Sequence, residues 1–204
     1  MAAKFVIASN NSHKIEEFKR IMSALDVEVV SAKDAGLDFS DVEETGLTFA
    51  ENSLIKAMYA FEKSGLPSIA DDSGLCVDAL DGRPGIYSAR YGGENSTDNE
   101  KIELLLSELK NVEKECRTAH FTCSICCVMS KDDVIAAEGK CEGYIGFERK
   151  GENGFGFDPI FFLDNGKAFA ELSAEEKDVY SHRGNALRKF YSLLKERKDF
   201  NVNQ

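Results

Sequence analysis

Short apolar runs alternate with helically spaced apolar residues along the first part of the chain. The run from Lys4 to Ser9 predicts a short buried strand, and Val27 to Ser31 predicts a second one. Between them, apolar residues recur at the spacing of a helix: Ile15, Phe18, Ile21, Met22 and Leu25. A strand, a tight polar turn and a helix in this order are typical of α/β proteins.

Two capping boxes mark the N-termini of further helices. Each is a Thr followed three positions later by a Glu: Thr48 with Glu51, and Thr97 with Glu100. The first of these helices is predicted to end at Gly65. On its polar face Asn52 and Lys56 are neighbours, because they lie four positions apart.

The remaining patterns predict a mixed sheet with flanking helices. In chain order they indicate a strand through Ala70, an alternating stretch to Leu80, a hairpin of residues 117–129 and 134–142, a Gly-rich segment from Gly151 to Asp158, and helices over 174–178 and 183–195. A length of 204 residues fits one large domain over residues 1–204. The predicted fold class is therefore α/β.

Charge and hydropathy exclude several classes of partner. The chain has 25 basic and 36 acidic residues, a net charge of −11, whereas a protein that coats nucleic acid needs positive charge to displace counterions from phosphates. Its apolar runs fall far short of the roughly 20 residues that cross a bilayer. The N-terminus turns polar after a short apolar run, unlike a signal peptide. We therefore expect a cytoplasmic protein with neither a nucleic acid polymer nor a membrane as partner.

Three of the six cysteines are closely spaced and allow two interpretations. Cys123, Cys126 and Cys127 have a spacing found in metal sites, but no second pair follows and only His120 is near. The alternative is a buried strand over 119–129 in which Cys serves as a small hydrophobic residue. The second interpretation is favoured, and reduced cysteines suit the cytosol.

The segment Asn10–Lys14 lies between the first predicted strand and helix. Such a junction presents free backbone N–H groups and the positive end of a helix dipole, which suits an anion, and Lys14 adds a charge for a phosphate oxygen. The chain has no Walker P-loop, which excludes a P-loop NTPase. An ordinary solvated turn with a surface lysine is the alternative.

Adjacent carboxylates follow the apolar residues Ser68–Ala70. Asp71 and Asp72 would be costly to bury without a cation, and strand alternation directs their side chains to opposite faces. Hard oxygen ligands suit Mg²⁺, which binds one or two carboxylates together with water and substrate phosphates. Glu43 or Glu44 could supply the second carboxylate. The alternative is a capped acidic turn.

Two later segments carry aromatic and cationic groups. Gly154–Pro159 sets two phenylalanines between glycines, so that a ring could stack on a planar base; the alternative is a strand with core phenylalanines. Ser181–Gly184 opens the last helix with an imidazole and a guanidinium, which could donate to anions or carbonyl oxygens. An ordinary helical turn is the alternative.

Six segments in this order resemble the inosine triphosphate pyrophosphatase family, the RdgB-type dITP/XTP pyrophosphatases. They are Ala8-Ser9-Asn10-Asn11-Ser12-His13-Lys14, residues 43–52 (EETGLTFAEN), residues 70–75 (ADDSGL), residues 82–91 (GRPGIYSARY), residues 154–159 (GFGFDP) and residues 181–184 (SHRG). Together they span nearly the whole chain. The resemblance implies an elongated α/β fold of two lobes with an active-site cleft between them, as a homodimer. It also implies Mg²⁺-dependent hydrolysis of ITP, dITP and XTP to the monophosphate and pyrophosphate.

The resemblance also implies roles for particular residues. The triphosphate would be bound by Ser9, Asn10, Asn11, Ser12, His13 and Lys14, assisted by Lys56. The metal would be held by Glu43, less surely Glu44, and by Asp72, which would also accept the proton of the attacking water. Ser73 would touch the nucleotide, and the base pocket would consist of Phe155, Gly156, Phe157, Asp158, Lys177, His182 and Arg183.

This chain departs from the family pattern at two places. Ser9-Asn10 replaces the commoner Thr-Gly, which could alter the geometry of the phosphate loop, and Phe157 replaces a frequent Tyr, which removes a hydroxyl. Three alternatives to the implied function stay open. They are a pyrophosphatase for another nucleotide, a non-catalytic nucleotide-binding protein, and an acidic structural partner.

Overall fold

A computed structural model of the protein describes residues 4–25, 27–39 and 42–197. Its strands and helices are β1 (Lys4–Ile7), α1 (Ser12–Ala24), β2 (Glu28–Ser31), α2 (Phe49–Ser64), β3 (Ser68–Val77), α3 (Asp98–Glu108), β4 (Thr118–Ser130), β5 (Asp133–Ile145), β6 (Phe161–Phe162), α4 (Ala174–Tyr180) and α5 (His182–Lys195). Within the described ranges no helix is long and apolar enough to span a membrane.

The six strands form one mixed sheet in the order β2-β1-β3-β4-β5-β6. β1 pairs in parallel with both β2 and β3, with Val6 opposite Val30 and Ser68. β5 pairs antiparallel with β6, with Ile145 opposite Phe161. These pairings confirm the predicted α/β class with a mixed sheet and flanking helices.

The chain divides into two compact units. The first comprises residues 1–72, 123–139 and 183–204, and the second comprises residues 73–122 and 140–182. The single domain over residues 1–204, the two lobes and the cleft stay predictions.

The first unit has helices on both faces of its strands. Phe5 and Ile7 of β1 belong to an apolar cluster that includes residues of α1 and α5, such as Phe18 and Phe190. Val6, which points to the opposite face, belongs to a second cluster that includes residues of α2. β1 is therefore buried on both faces, as its continuous apolar run predicts.

The second unit has a single apolar cluster. Ile102 and Leu105 of α3 pack there with strand residues such as Leu75 and with the aromatic residues Phe161 and Phe169. Because α3 buries this face, its opposite polar face and its N-terminus are left for other contacts.

The capping boxes and the cysteine strand are confirmed. Thr48 and Thr97 each accept a hydrogen bond from the backbone of the Glu three residues later, and Gly65 ends α2 in the left-handed conformation. Cys123, Cys126 and Cys127 are buried in β4. Because burial disfavours the thiolate, the pKa of each of these thiols is raised.

One strand differs from its prediction. β3 does not end at Ala70 but continues through Asp71-Asp72-Ser73-Gly74 to Val77, so the segment is not an acidic turn. The physical reason lies in the partners of the two carboxylates. Both are buried, and cationic side chains compensate each of them.

Candidate active site

The segment Ser9–Lys14 connects β1 to the N-terminus of α1. The side chain of Asn11 caps this helix by accepting a hydrogen bond from the backbone N–H of Lys14 at 3.1 Å. Ser9 Oγ accepts from the N–H of Asn11 at 3.2 Å, which tightens the turn. Asn10, Ser12 and His13 are exposed in the same segment. The arrangement is a helix N-terminus that is open to solvent, which favours an anion.

Lys14 also belongs to a buried charge network of the first unit, formed by Lys14, Glu17, Asp71 and Arg183. Asp71 Oδ2 lies 3.1 Å from Lys14 Nζ and 2.9 Å from Arg183 Nη2. The Nη1 group of Arg183 donates to Glu17. Two cations thus face two carboxylates, which is the condition under which charges are tolerated in a protein interior.

The network shifts the pKa values of Asp71 and Arg183. Burial alone would raise the pKa of Asp71, but the charges of Lys14 and Arg183 outweigh burial and hold that pKa well below its ordinary value. Burial would likewise lower the pKa of Arg183, but Asp71 and Glu17 raise it. Both groups are therefore ionised at neutral pH.

Asp72 faces a different set of partners, as strand alternation predicts. Its Oδ2 accepts a hydrogen bond from Asn52 Nδ2 at 3.1 Å, and its Oδ1 lies 3.6 Å from Lys56 Nζ. Lys56 Nζ is also 2.7 Å from Glu44 Oε1. These four residues, the Asp72 cluster, bring two carboxylates to one buried ammonium group.

Burial has the largest effect on the pKa of Asp72. It raises the pKa of this carboxyl, and the charge of Glu44 acts in the same direction, whereas Lys56 and the Asn52 amide act against them. For Lys56, burial would lower the pKa, but the neighbouring carboxylates outweigh it and raise the pKa. Lys56 is therefore a protonated ammonium group that lies next to the carboxylates of Glu44 and Asp72.

The structure distinguishes Glu44 from Glu43. Glu44 reaches Lys56, whereas the side chain of Glu43 is exposed and forms no ion pair within the described part of the chain. The loop is fixed on α2, because the N–H of Gly46 donates to Asn52 Oδ1 at 2.8 Å. A Cβ at Gly46 would lie 2.7 Å from that same oxygen, so the loop approaches the helix too closely for a side chain.

The Asp72 cluster fits the requirements of Mg²⁺. Asp72 and Glu44 already converge on one cationic group, the Lys56 ammonium. Among the described residues no three His, Cys, Asp or Glu side chains are grouped to hold a metal. Mg²⁺ takes one or two carboxylates and completes its shell with water and substrate phosphates, so Asp72 and Glu44 are the ligands that this cluster could supply.

The second unit contains the residues predicted for a base pocket, except Arg183, which belongs to the first unit. Asp158 is buried and accepts at Oδ2 from the N–H of Phe155 at 2.9 Å and from Lys177 Nζ at 2.6 Å. Lys177 Nζ also lies 4.7 Å from the ring centroid of Phe155. Gly154 has φ +77°, and a Cβ there would meet Asp158 Oδ2 at 2.0 Å, so only glycine fits this turn. We call Gly154–Asp158 the pocket segment.

The two phenylalanines of the pocket segment differ in exposure. Phe157 is buried and packs edge-on against Tyr91, with 6.2 Å between ring centroids. Phe155 is half-buried, so its ring is the one that can meet a ligand. His182 is buried and stacks on Phe121 at 4.7 Å.

Two further predicted residues lie outside the pocket segment. The guanidinium of Arg183 contacts Asp71 and Glu17 in the first unit and so belongs to the charge network. Ser73 lies in β3 beside Asp72 and is half-buried.

Sequence reasoning missed Glu17 as a member of the site and gave Asn52 no role. Glu17 is buried on α1 three positions after Lys14 and four before Ile21, so a charged residue within the apolar face was the available signal. For Asn52 the signal was its spacing from Lys56, since both side chains reach Asp72.

Comparison with known proteins gives consistent results. The model of the Ham1 family matches residues 5–193. The chain is 50% identical over 197 residues to the dITP/XTP pyrophosphatase of Haemophilus influenzae, covering 95% of this chain and 100% of the relative. It is 46% identical over 190 residues to the dITP/XTP pyrophosphatase of Bacillus subtilis, covering 93% and 96%. The Staphylococcus aureus Ham1 protein structure superimposes with a TM-score of 0.83 at 44% identity, covering 94% of this chain and 98% of that one.

Proposed function

The chain belongs to the Ham1 family, and from this membership we propose that it is a nucleoside triphosphate pyrophosphatase. It hydrolyses the non-standard purine nucleotides ITP, dITP and XTP to the monophosphate and pyrophosphate, and so keeps them out of DNA and RNA. The observation that carries the proposal is the Asp72 cluster, together with Lys14 at the N-terminus of α1, which contacts the adjacent Asp71. The chain that contains them is 50% identical to a dITP/XTP pyrophosphatase.

The triphosphate binds to the segment Ser9–Lys14. Its exposed backbone N–H groups and the dipole of α1 attract the phosphate oxygens, and Lys14 supplies a point charge. Lys14 is already oriented by Asp71 at 3.1 Å, so little side-chain entropy is lost when the nucleotide arrives.

Asp72 is assigned the role of activating the water that attacks the α-phosphorus. One of its oxygens accepts the proton of the attacking water, while Asn52 holds the other oxygen at 3.1 Å and fixes the carboxylate plane. Lys56 stabilises the negative charge that develops on the phosphate oxygens. Mg²⁺ held by Asp72 and a neighbouring glutamate would neutralise the triphosphate charge and orient the phosphates.

The base binds to the second unit. The half-buried ring of Phe155 offers a stacking surface. Lys177, whose Nζ lies 4.7 Å from the centroid of that ring, and His182 are the donors assigned to the base. A 6-oxo purine accepts a hydrogen bond where the adenine amino group donates one. Donors placed there reject ATP, because binding it would leave them unpaired.

Three further properties complete the proposal. Mg²⁺ dependence rests on the donor set of Asp72 and Glu44, and a homodimer rests on the resemblance alone. A cytoplasmic location rests on the six cysteines, which are all free thiols.

A nucleotide panel tests the proposal. Purified protein with Mg²⁺ is given ITP, XTP, dITP, ATP, GTP and dTTP, and pyrophosphate and orthophosphate are measured separately. The proposal predicts pyrophosphate from ITP, XTP and dITP and little product from the others. Pyrophosphate mainly from standard nucleotides would overturn the assigned base preference. Binding of ITP without any product would indicate a non-catalytic nucleotide-binding protein.

A further inference from the structure

Helix α3 contacts the backbone of the pocket segment through its first residue. Asp98 Oδ2 accepts a hydrogen bond from the N–H of Gly156 at 2.7 Å. The two residues are 58 positions apart, so the contact is a tertiary one. A hydrogen bond to a charged acceptor at this distance is of the stronger kind.

The chain leading into the pocket segment is tied to α3 as well. Arg149 Nη2 lies 2.7 Å from Glu103 Oε1 and 3.2 Å from the backbone oxygen of Asn99. The N–H of Lys150 donates to the backbone oxygen of Pro159 at 2.8 Å, which closes residues 150–159 into a loop. The helix thus holds the loop at its start and at its middle.

Helix α3 is itself fixed by packing and by hydrogen bonds. Ile102 and Leu105 anchor α3 in the apolar cluster of the second unit, and the Thr97–Glu100 capping box fixes its first turn. At the far end, Glu108 accepts from the hydroxyl of Tyr91 at 2.7 Å. The ring of Tyr91 packs in turn on the second phenylalanine of the pocket segment.

The pocket segment needs such a support. Gly154 and Gly156 have φ of +77° and +61°, in the region that glycine adopts readily. Glycines also leave many other conformations open, and a loop that samples them must be ordered when a ligand binds. The Asp98 contact removes part of that freedom before binding.

We propose that Asp98 is a positioning residue for base recognition. It fixes the backbone of the pocket segment so that the Phe155 ring and the Lys177–Asp158 pair face the purine in one arrangement. The inference rests on the proposed function, because it presumes that the pocket segment binds the base. The hydrogen bond of Asp98 to Gly156 and its ion pair with Lys101 lie within the second unit, so it acts on binding and selectivity and leaves the chemical step unchanged.

Two substitutions of Asp98 separate the hydrogen bond from the charge. Asp98→Ala removes the acceptor, whereas Asp98→Asn keeps an oxygen that can accept from Gly156 and removes the negative charge at the helix N-terminus. Lys101→Ala is the matched control, because Lys101 Nζ contacts the other oxygen of Asp98 at 3.2 Å. Amide hydrogen exchange of residues 150–159, measured without nucleotide, reports the loop directly.

We expect Asp98→Ala to accelerate exchange in residues 150–159 while exchange at the buried end of α3 stays unchanged. Its KM for ITP rises roughly three- to tenfold with kcat within about twofold, and its preference for ITP over ATP falls by a similar factor. Asp98→Asn, which keeps a neutral acceptor, raises KM less than Asp98→Ala does, and Lys101→Ala retains the wild-type KM.

Wild-type KM and selectivity in Asp98→Ala, with the wild-type enzyme active, would overturn the inference. An equal defect in Asp98→Asn would also overturn it, because the effect would then belong to the helix charge. If the wild-type protein hydrolyses no nucleotide, the proposed function itself fails, and that result is distinct from either of these.

Discussion

Replacing Asp71 by Asn tests whether the charge network stabilises the fold. The substitution keeps the size of the side chain but removes the charge that faces Lys14 and Arg183. Arg183 is fully buried and would keep only Glu17 as its counter-charge within the described network. Removing one partner of a buried ion pair costs about 3–5 kcal/mol. In a protein of this size we expect the Tm to fall by about 6–20 °C.

The effect has a defined pH dependence. The pKa of Asp71 is held below its ordinary value in the folded protein, so the folded state keeps this carboxylate charged where the unfolded state protonates it. Its stabilisation is therefore complete above about pH 4, the ordinary pKa of Asp, and is lost progressively as the pH falls below that value. The Tm difference between wild type and Asp71→Asn should narrow accordingly in acid.

Asp34→Asn is the matched control for this experiment. The pKa of Asp34 is also lowered, chiefly by a hydrogen bond from Ser31 and to a lesser degree by Lys19, but this carboxylate is exposed. Exposed ion pairs contribute little, so we expect no resolved change in Tm. Thermal unfolding of both variants from neutral pH to well below about pH 4 decides the question. Equal Tm values for the two variants, or a difference that does not narrow in acid, would refute the reasoning.

Three further predictions concern turnover. Asp72→Asn should abolish ITP hydrolysis in a protein that remains folded, and a kcat near wild type would remove Asp72 as the proton acceptor. Lys14→Ala should raise the KM for ITP roughly ten- to hundredfold, since a charged hydrogen bond to phosphate is lost. Unchanged KM and kcat would limit Lys14 to its ion pair with Asp71. Glu44→Gln should raise the Mg²⁺ concentration for half-maximal rate more than Glu43→Gln, because only Glu44 reaches Lys56 beside Asp72. The opposite order would assign the metal to Glu43.

Local signals in the sequence predicted much of the fold. The capping boxes placed the starts of α2 and α3, and the apolar run of β1 indicated a strand buried on both faces. These features depend on neighbours a few positions apart, which a sequence displays directly. The continuation of β3 past Ala70 could not be predicted in the same way, because it depends on Lys14, Lys56 and Arg183 reaching the two carboxylates.

The candidate site was predictable in part for the same reason. The spacing of Asn52 and Lys56 indicated two side chains on one helix face, and both contact Asp72. The partners of Arg183 lie 112 and 166 positions away in the chain, so no local pattern could reveal them. The choice between Glu43 and Glu44 likewise depends on how their loop packs on α2.

The position of bond cleavage tests the central proposal most directly. The protein is incubated with Mg²⁺ and equal amounts of ITP and ATP in water enriched in oxygen-18, and the products are analysed by mass spectrometry. Attack of water on the α-phosphorus of ITP predicts IMP that carries one labelled oxygen, unlabelled pyrophosphate, and little AMP. Labelled orthophosphate, labelled pyrophosphate, or AMP formed as fast as IMP would contradict the account.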